Sequence, residues 1–274
     1  MPRITEERRE ARREQILDAA RACVLEHGLE AVSMEMIISR SGLSTGAVYR
    51  YFKGKDEIIG AAFTQATSEI GAAAAPILAS PQPGPPSELL EKLLAAWMGY
   101  ALSGVGAAAG VDRMPVALHG WSYAQADPQL RAVLEASLRG FRERFLPIIK
   151  QWQDDGVVAA SAEPDAVAQL FLSICLGFVA QRSLTGDADV QAHVDALAAL
   201  AAAQPAHRAR PAEPDAVAQL LLSIFLGFVA QRSLTGDADI HAHANALAAL
   251  TTAQPPAGQH ASGAQPAEPG AAGS

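Results

Sequence analysis

The sequence predicts an all-helical protein, and three observations carry that expectation. Half of the 274 residues are hydrophobic, yet only 5% are aromatic, and Ala and Leu dominate the remainder. Ala and Leu lose little freedom in a helix, whereas the β-branched and aromatic side chains that favour sheets are sparse. Apolar residues recur at spacings of three and four along most of the chain, and cap residues, prolines and glycines bracket those stretches.

Ile16, Leu17, Ala20, Cys23 and Val24 define an amphipathic helix over about 6–27, ended by Gly28 in a left-handed conformation. Ser33 caps a short helix over 34–40 that buries Met36, Ile37 or Ile38. Ser41-Gly42-Leu43 reads as a tight turn, and Ser44 opens a third helix of about seven residues, broken by Lys53-Gly54. A fourth runs from Lys55 through Ile58, Ile59, Ala62 and Phe63 toward Ala75. The Pro-rich stretch 76–87 (PILASPQPGPPS) reads as a loop that ends an N-terminal head. Beyond it come helices over about 88–102 and 112–123. A long one follows the Asp127-Pro128 start signal to about 155, with a kink expected at Pro147.

A tandem repeat of period 50 follows. Residues 162–205 recur at 212–255 with 36 of 44 positions identical. Each copy reads as a helical hairpin: a long apolar helix from Pro164 or Pro214, a TGDAD turn, and a shorter Ala/Leu helix. QPAHRARP links the copies, and the Pro/Gly/Ala-rich tail 256–274 has no apolar period, so disorder is expected there. The second hairpin is expected to be a tolerated duplication that packs loosely. The alternative is that it docks beside the first, enlarging or competing with that hairpin's own interface.

The net charge of −8 is unevenly spread: residues 1–56 hold ten Lys/Arg against nine Asp/Glu, so nearly all the excess acid lies downstream. Arg8, Arg9, Arg12 and Arg13 cluster before the apolar face of the first helix begins, read as preceding that helix, and Arg50, Lys53 and Lys55 cluster after the third. Such patches suit phosphates, while an acidic body discourages non-specific adhesion. The N-terminus is too charged for a signal peptide. The longest apolar stretch, near 167–180, falls short of the roughly 20 residues that span a bilayer, so a cytoplasmic protein without a membrane partner is expected. Cys23 and Cys175 lie in apolar stretches with no CxxC spacing, against a disulfide framework or a zinc site.

Residues 42–55 (GLSTGAVYRYFKGK) are the informative segment. Val48 and Phe52, four apart, would anchor the third helix inward, leaving Thr45, Gly46, Tyr49 and Arg50 on or near the opposite face, where a major groove would receive them. Ser44 caps a helix start suited to a phosphate, and Gly46 removes bulk where backbone and duplex approach. The competing reading of this segment is a small helical cap packed on a larger domain.

The stretch from about Glu14 to Phe63 resembles the DNA-binding head of TetR-family regulators. The matching residues are Ile16-Leu17-Asp18-Ala19-Ala20, His27-Gly28, Ser33, Gly42-Leu43-Ser44, Gly46, Val48-Tyr49, Tyr51-Phe52, Lys55 and Ile58. Further on, GVVAASAEPDAVA at 156–168 is similar to that family's lead into its penultimate helix. One departure is Ile38, which stands where the family usually has Ala. The resemblance implies that Thr45, Gly46 and Arg50 face base edges or the groove wall, with Arg50 the residue most suited to reading sequence. It assigns Tyr49, Tyr51, Lys55, Ser33 and Ser44 to phosphates. It further implies a homodimer joined by the last two helices of each body, a double-stranded operator of two-fold symmetry, and a small-molecule effector held in the body. The expected organisation is a helix-turn-helix DNA-binding domain over 1–75, a helical effector-binding and dimerisation bundle over 87–205, the duplicate hairpin over 212–255 and the tail.

Trp97, His119, Trp121, Tyr123, Phe141 and Phe171 suit either core packing or the wall of an effector pocket. Asp187, Asp189 and His193, echoed by Asp237, Asp239, His241 and His243, read as capping turns and solvated faces rather than as a metal site. The sequence contains no Walker loop, nucleophile elbow or HExxH, so nothing points to an enzyme or a cofactor. The leading reading is a ligand-relieved repressor. Against it stand a DNA-binding activator or architectural protein without an effector, and a helical enzyme or pure interaction module without sequence-specific DNA affinity.

Overall fold

The structure is a computed structural model describing residues 6–101, 114–201 and 213–252, and every regular element among them is a helix. The expected linker between the hairpins and the tail 256–274 lie outside the described residues. The head consists of α1 (Glu6–His27), α2 (Met34–Ser41) and α3 (Thr45–Val48), followed by α4 (Lys55–Leu78). Ile16, Leu17, Ile37, Val48, Phe52, Ile58, Ile59 and Phe63 meet in one buried cluster. Ile37 takes the inward place on α2, and the bulkier Ile38 sits half-buried beside it, so the departure from the family pattern is absorbed at the margin. Arg40 binds Glu26 through two bonds of 2.5 and 2.6 Å, and Gln15 donates to the Ser41 carbonyl at 2.6 Å, fixing α2 against α1.

α4 extends three residues past the expected loop start, with Pro76 inside it. The proline ring lies on the exposed side, while Ala74 and Leu78 are buried in the body, so packing holds a last turn that lacks one backbone bond. The body comprises α5 (Pro86–Ala101), α6 (Met114–Ala126), α7 (Pro128–Asp154), α8 (Pro164–Thr185) and α9 (Val190–Ala201). Asp127 caps α7 by accepting from Gln129 and Leu130 at 2.8 and 3.1 Å. Trp152 is enclosed among Phe145 and Phe171, and its Nε1 donates to the Gly84 carbonyl at 2.8 Å, tying the loop before α5 to α7.

The second hairpin, α10 (Pro214–Thr235) and α11 (Ile240–Thr252), overturns the expectation of loose packing. α10 lies along α8, α11 covers α8, and α9 covers α10. Every residue of α8 from Ala166 to Gln181 is therefore buried, because both its sides are covered. By length and composition, α8 and α10 are each apolar enough to cross a membrane, longer than the sequence reading allowed. Burial of α8 within the fold accounts for its composition.

His193 and His243, expected on solvated faces, are instead buried between the hairpins. His193 Nδ1 donates to the Asp189 carbonyl at 2.8 Å, which leaves Nε2 to accept from Ser223 Oγ at 2.8 Å. Ser223 in turn accepts from Gln181 Nε2, which also reaches the Gln219 carbonyl at 2.8 Å. The same chain recurs with His243, Ser173 and Gln231: Ser173 meets His243 Nε2 at 2.8 Å and accepts from Gln231 at 2.5 Å. Asp189 and Asp239 cap the shorter helices, accepting from Ala192 at 2.7 Å and Ala242 at 3.1 Å.

Both imidazoles face an edge-on ring, Phe178 or Phe228, and burial holds their pKa below the ordinary histidine range against the opposing pull of the Asp189 or Asp239 backbone. Above about pH 6.5 both states are neutral and the network is intact. As pH falls from there toward the depressed folded values, the unfolded chain binds protons that the folded chain cannot, and stability is lost. The melting temperature is expected to fall on acidification through this window, and less steeply in His193→Gln with His243→Gln. Equal slopes for the two proteins would rule the histidines out as the cause.

Candidate nucleic-acid interface

The turn between α2 and α3 needs a left-handed residue, which Gly42 supplies at φ 67°, its N–H returning to the Ser39 carbonyl. Ser44 then caps α3, its hydroxyl accepting from the Ala47 N–H at 3.3 Å. α3 proper is four residues long rather than about seven. Backbone bonds of 3.1 Å from Tyr49 to Thr45, 2.9 Å from Tyr51 to Val48 and 3.1 Å from Phe52 to Val48 carry the winding on as a looser turn.

Val48 is wholly buried and Phe52 nearly so, and together they pin this segment to the head core. Thr45, Gly46, Tyr49 and Arg50 face solvent, with Tyr49 50% exposed. A tyrosine ring left half in water beside two buried anchors has no packing role on its outer side. Tyr51 and Lys55 are half-buried at the flank. Ser33 caps α2 by accepting from Met36 at 3.3 Å, so both serines expected near phosphates also hold their helix starts. Lys53 N–H bonds Glu57 at 2.6 Å, fixing the entry to α4.

The arginine cluster lies along the first turns of α1. Arg9 and Arg13 reach Glu6 and Glu10 at 3.9 and 3.6 Å, exposed pairs that cost little to break. Arg13 also sits 5.6 Å over the Phe52 ring, linking this patch to the anchor under Tyr49.

A cavity of about 470 Å³ opens between α4, α5, α6, α7 and α8. Of the six residues singled out for a pocket, Trp97, Trp121 and Phe141 line it, and His119, Tyr123 and Phe171 do not. The helical period explains the division. On α6, Ala117, Gly120 and Trp121 share the cavity face, which leaves positions 119 and 123 off it; on α8, Leu172, Leu176 and Val179 face the space while Phe171 turns to Phe145 and Trp152. The space itself comes from small residues that were not singled out: Gly71, Ala74 and Ala75 on α4 opposite Ala136, Ser137 and Gly140 on α7. Arg144 is the one charged residue among the described lining residues. Trp97 Nε1 is buried without a hydrogen-bond partner among the described residues. Cys23 and Cys175 are free, buried thiols, and burial pushes both pKa values up.

Cavity and head share parts. Phe63 lines the cavity and belongs to the head core, and its ring lies so close to Gly120 that a Cβ there would meet it at 2.7 Å. One turn beyond Gly120, Tyr123 faces the Asp56 carboxylate at the start of α4; burial first, and that carboxylate second, push its pKa up to about 12.

Two family descriptions match the chain. Residues 16–62 match "Bacterial regulatory proteins, tetR family", and residues 106–198 match "BetI-type transcriptional repressor, C-terminal". The HTH-type transcriptional repressor Rv1474c of Mycobacterium tuberculosis is 35% identical over 74 residues, 27% of this chain and 40% of that protein. The Bacillus subtilis protein titled "Uncharacterized HTH-type transcriptional regulator YfiR" is 35% identical over 57 residues, 21% of this chain and 28% of its own length. The chain thus spans less than half of each of these curated relatives. Among solved structures, a TetR transcription regulator from Haloarcula marismortui superposes with TM-score 0.54 and 18% identity, covering 68% of this chain and 93% of that one. The fatty acid degradation regulator FadR from Bacillus halodurans gives 0.53 and 17%, with 67% and 90% covered. At such identities these two likenesses show the fold.

Proposed function

The chain belongs to the TetR family of transcriptional regulators, and from that premise we propose that it is a cytoplasmic repressor whose α3 reads a DNA operator and whose cavity takes a small molecule that releases it. The observation that carries the reading is the division of α3, with Val48 and Phe52 locked inward and Thr45, Gly46, Tyr49 and Arg50 turned outward. Thr45, Gly46 and Arg50 would then lie against base edges, and Tyr49, Tyr51, Lys55 and the starts of α2 and α3 against phosphates. A two-fold operator presents two half-sites, and one such head fits each, whether the two heads belong to one dimer or to two separate chains. Enrichment of one sequence from a randomised pool of duplexes is expected, and recovery of no sequence above background would contradict the reading.

Release requires an effector that prefers one arrangement of the head over another, since equal affinity for both shifts nothing. The cavity supplies a route. A molecule between α4 and α6 presses on Phe63 and on the Gly120 turn, and Tyr123 carries the displacement of α6 to Asp56, one residue past Lys55. The apolar lining, the unpaired Trp97 donor and Arg144 favour a mostly apolar effector bearing a hydrogen-bond acceptor.

A screen of apolar carboxylates and aromatic amides is expected to yield a compound that releases bound duplex from the wild type. Gly71→Leu, which fills open cavity space from α4, and Tyr123→Phe, which cuts the link to Asp56, are each expected to abolish that response. Duplex affinity without compound should be unchanged in both. Release that persists in both variants would remove the cavity from the mechanism.

A further inference from the structure

The packing of the two hairpins is symmetric in a way that neither hairpin alone requires. Residues 50 apart are equivalent, and the polar and closest contacts across the α8–α10 crossing recur under exchange of the copies. Gln181 reaches the Gln219 carbonyl at 2.8 Å, and Gln231 reaches the Gln169 carbonyl at 3.0 Å. His193 meets Ser223 as His243 meets Ser173, both at 2.8 Å. At the centre, a Cβ on Gly177 would fall 1.8 Å from the Ser223 carbonyl oxygen, and one on Gly227 would fall 1.8 Å from that of Ser173. Such a pattern is the isologous contact of two identical subunits about a two-fold axis.

The symmetry ends where a second body would begin. Leu234 is 2% exposed against the head and α7, while its equivalent Leu184 is 68% exposed. On α8, Phe171, Leu172, Cys175 and Val179 are buried against the body; on α10 their equivalents Leu221, Leu222, Phe225 and Val229 are between 44% and 59% exposed. These are the surfaces that a second copy, with its own body, would cover. Arg142 on α7 holds Asp165 at 2.6 Å and Asp237 at 2.7 Å, and Asp187 of another copy is chemically equivalent to Asp237.

We propose that α10–α11 is a tethered stand-in for a second copy of this chain, closing from within the α8–α9 surface at which two copies would otherwise pair, so that the full chain is a monomer with one α1–α3 head. The homodimer implied by the family resemblance thus meets a surface already occupied. This inference stands on the packing and is independent of the DNA-binding reading.

Sedimentation of the full chain tests it. The wild type is expected at the mass of one chain at all concentrations, and a stable dimer would overturn the proposal. In Gly227→Leu the new side chain meets the α8 backbone and displaces the second hairpin, leaving Ser173, Gly177 and Gln181 intact to pair between chains; the mass is expected to double. Gly177→Leu spoils the surface that both arrangements use and is expected to remain at the mass of one chain. A second route weakens the hairpin's grip without added bulk: Gln231→Ala with His243→Ala removes its bonds to Ser173 and to the Gln169 carbonyl, leaves the α8–α9 side chains unchanged, and is likewise expected to dimerise. Folded variants of both designs that stay at the mass of one chain would overturn the proposal.

Discussion

Arg50→Ala is expected to weaken binding to the selected duplex by about 1–3 kcal/mol, roughly 5- to 150-fold, and to relax preference at one base pair only. The side chain is exposed in the turn that follows α3, and its backbone is held by the Ala47 carbonyl at 3.3 Å, so its loss is expected to leave the fold alone and to remove the proposed base contact. Tyr49→Ala is expected to act differently. A phosphate contact carries no sequence information, so affinity should fall by a similar factor for every duplex with the preferred sequence unchanged. Binding curves against the selected duplex and its single-position variants separate the two outcomes. A loss in Arg50→Ala that is uniform across all sequences would assign Arg50 to phosphate instead.

Phe52→Ala is expected to destabilise the head by about 3–5 kcal/mol, the usual effect of emptying a large aromatic site in a core. Phe52 closes the head cluster beneath α3, and the Arg13 guanidinium lies over its ring. Such a loss is a large share of an ordinary domain's 5–15 kcal/mol or so. Duplex binding should vanish together with hydrogen-exchange protection around Ile16, Leu17 and Ile37, while amides in α8, buried in the other cluster, stay protected. Retained protection in the head with intact binding would show that Phe52 does not hold α3 in place.

The head was legible in the sequence because its determinants are local. Ser33 and Ser44 cap the helices they precede, Gly42 takes the left-handed turn, and the four-residue spacing of Val48 and Phe52 orients everything between them. The cavity was half legible. Aromatic type picked out Trp97, Trp121 and Phe141, but which face of its helix a residue occupies depends on tertiary packing, and so Phe171 went to the core. Empty space is made by small residues, and Gly71 facing Gly140 carries no mark until the helices are placed. The repeat was plain, but its docking was not. Ser173 and Gly177, four apart and repeated at 223 and 227, give close backbone approach, and Gln and His recur in both apolar hairpins. That combination signals helices packed against one another with paired polar groups, where periodicity alone suggested solvated faces.

The most direct test of the outward face of α3 is the alkylation rate of a single cysteine in Thr45→Cys, measured with and without the selected duplex. The native thiols are buried and give little background. Duplex at saturating concentration is expected to protect Cys introduced at position 45 strongly, and to leave unprotected a control cysteine introduced by Leu184→Cys on the body. Equal alkylation at position 45 in free and bound protein would contradict the account.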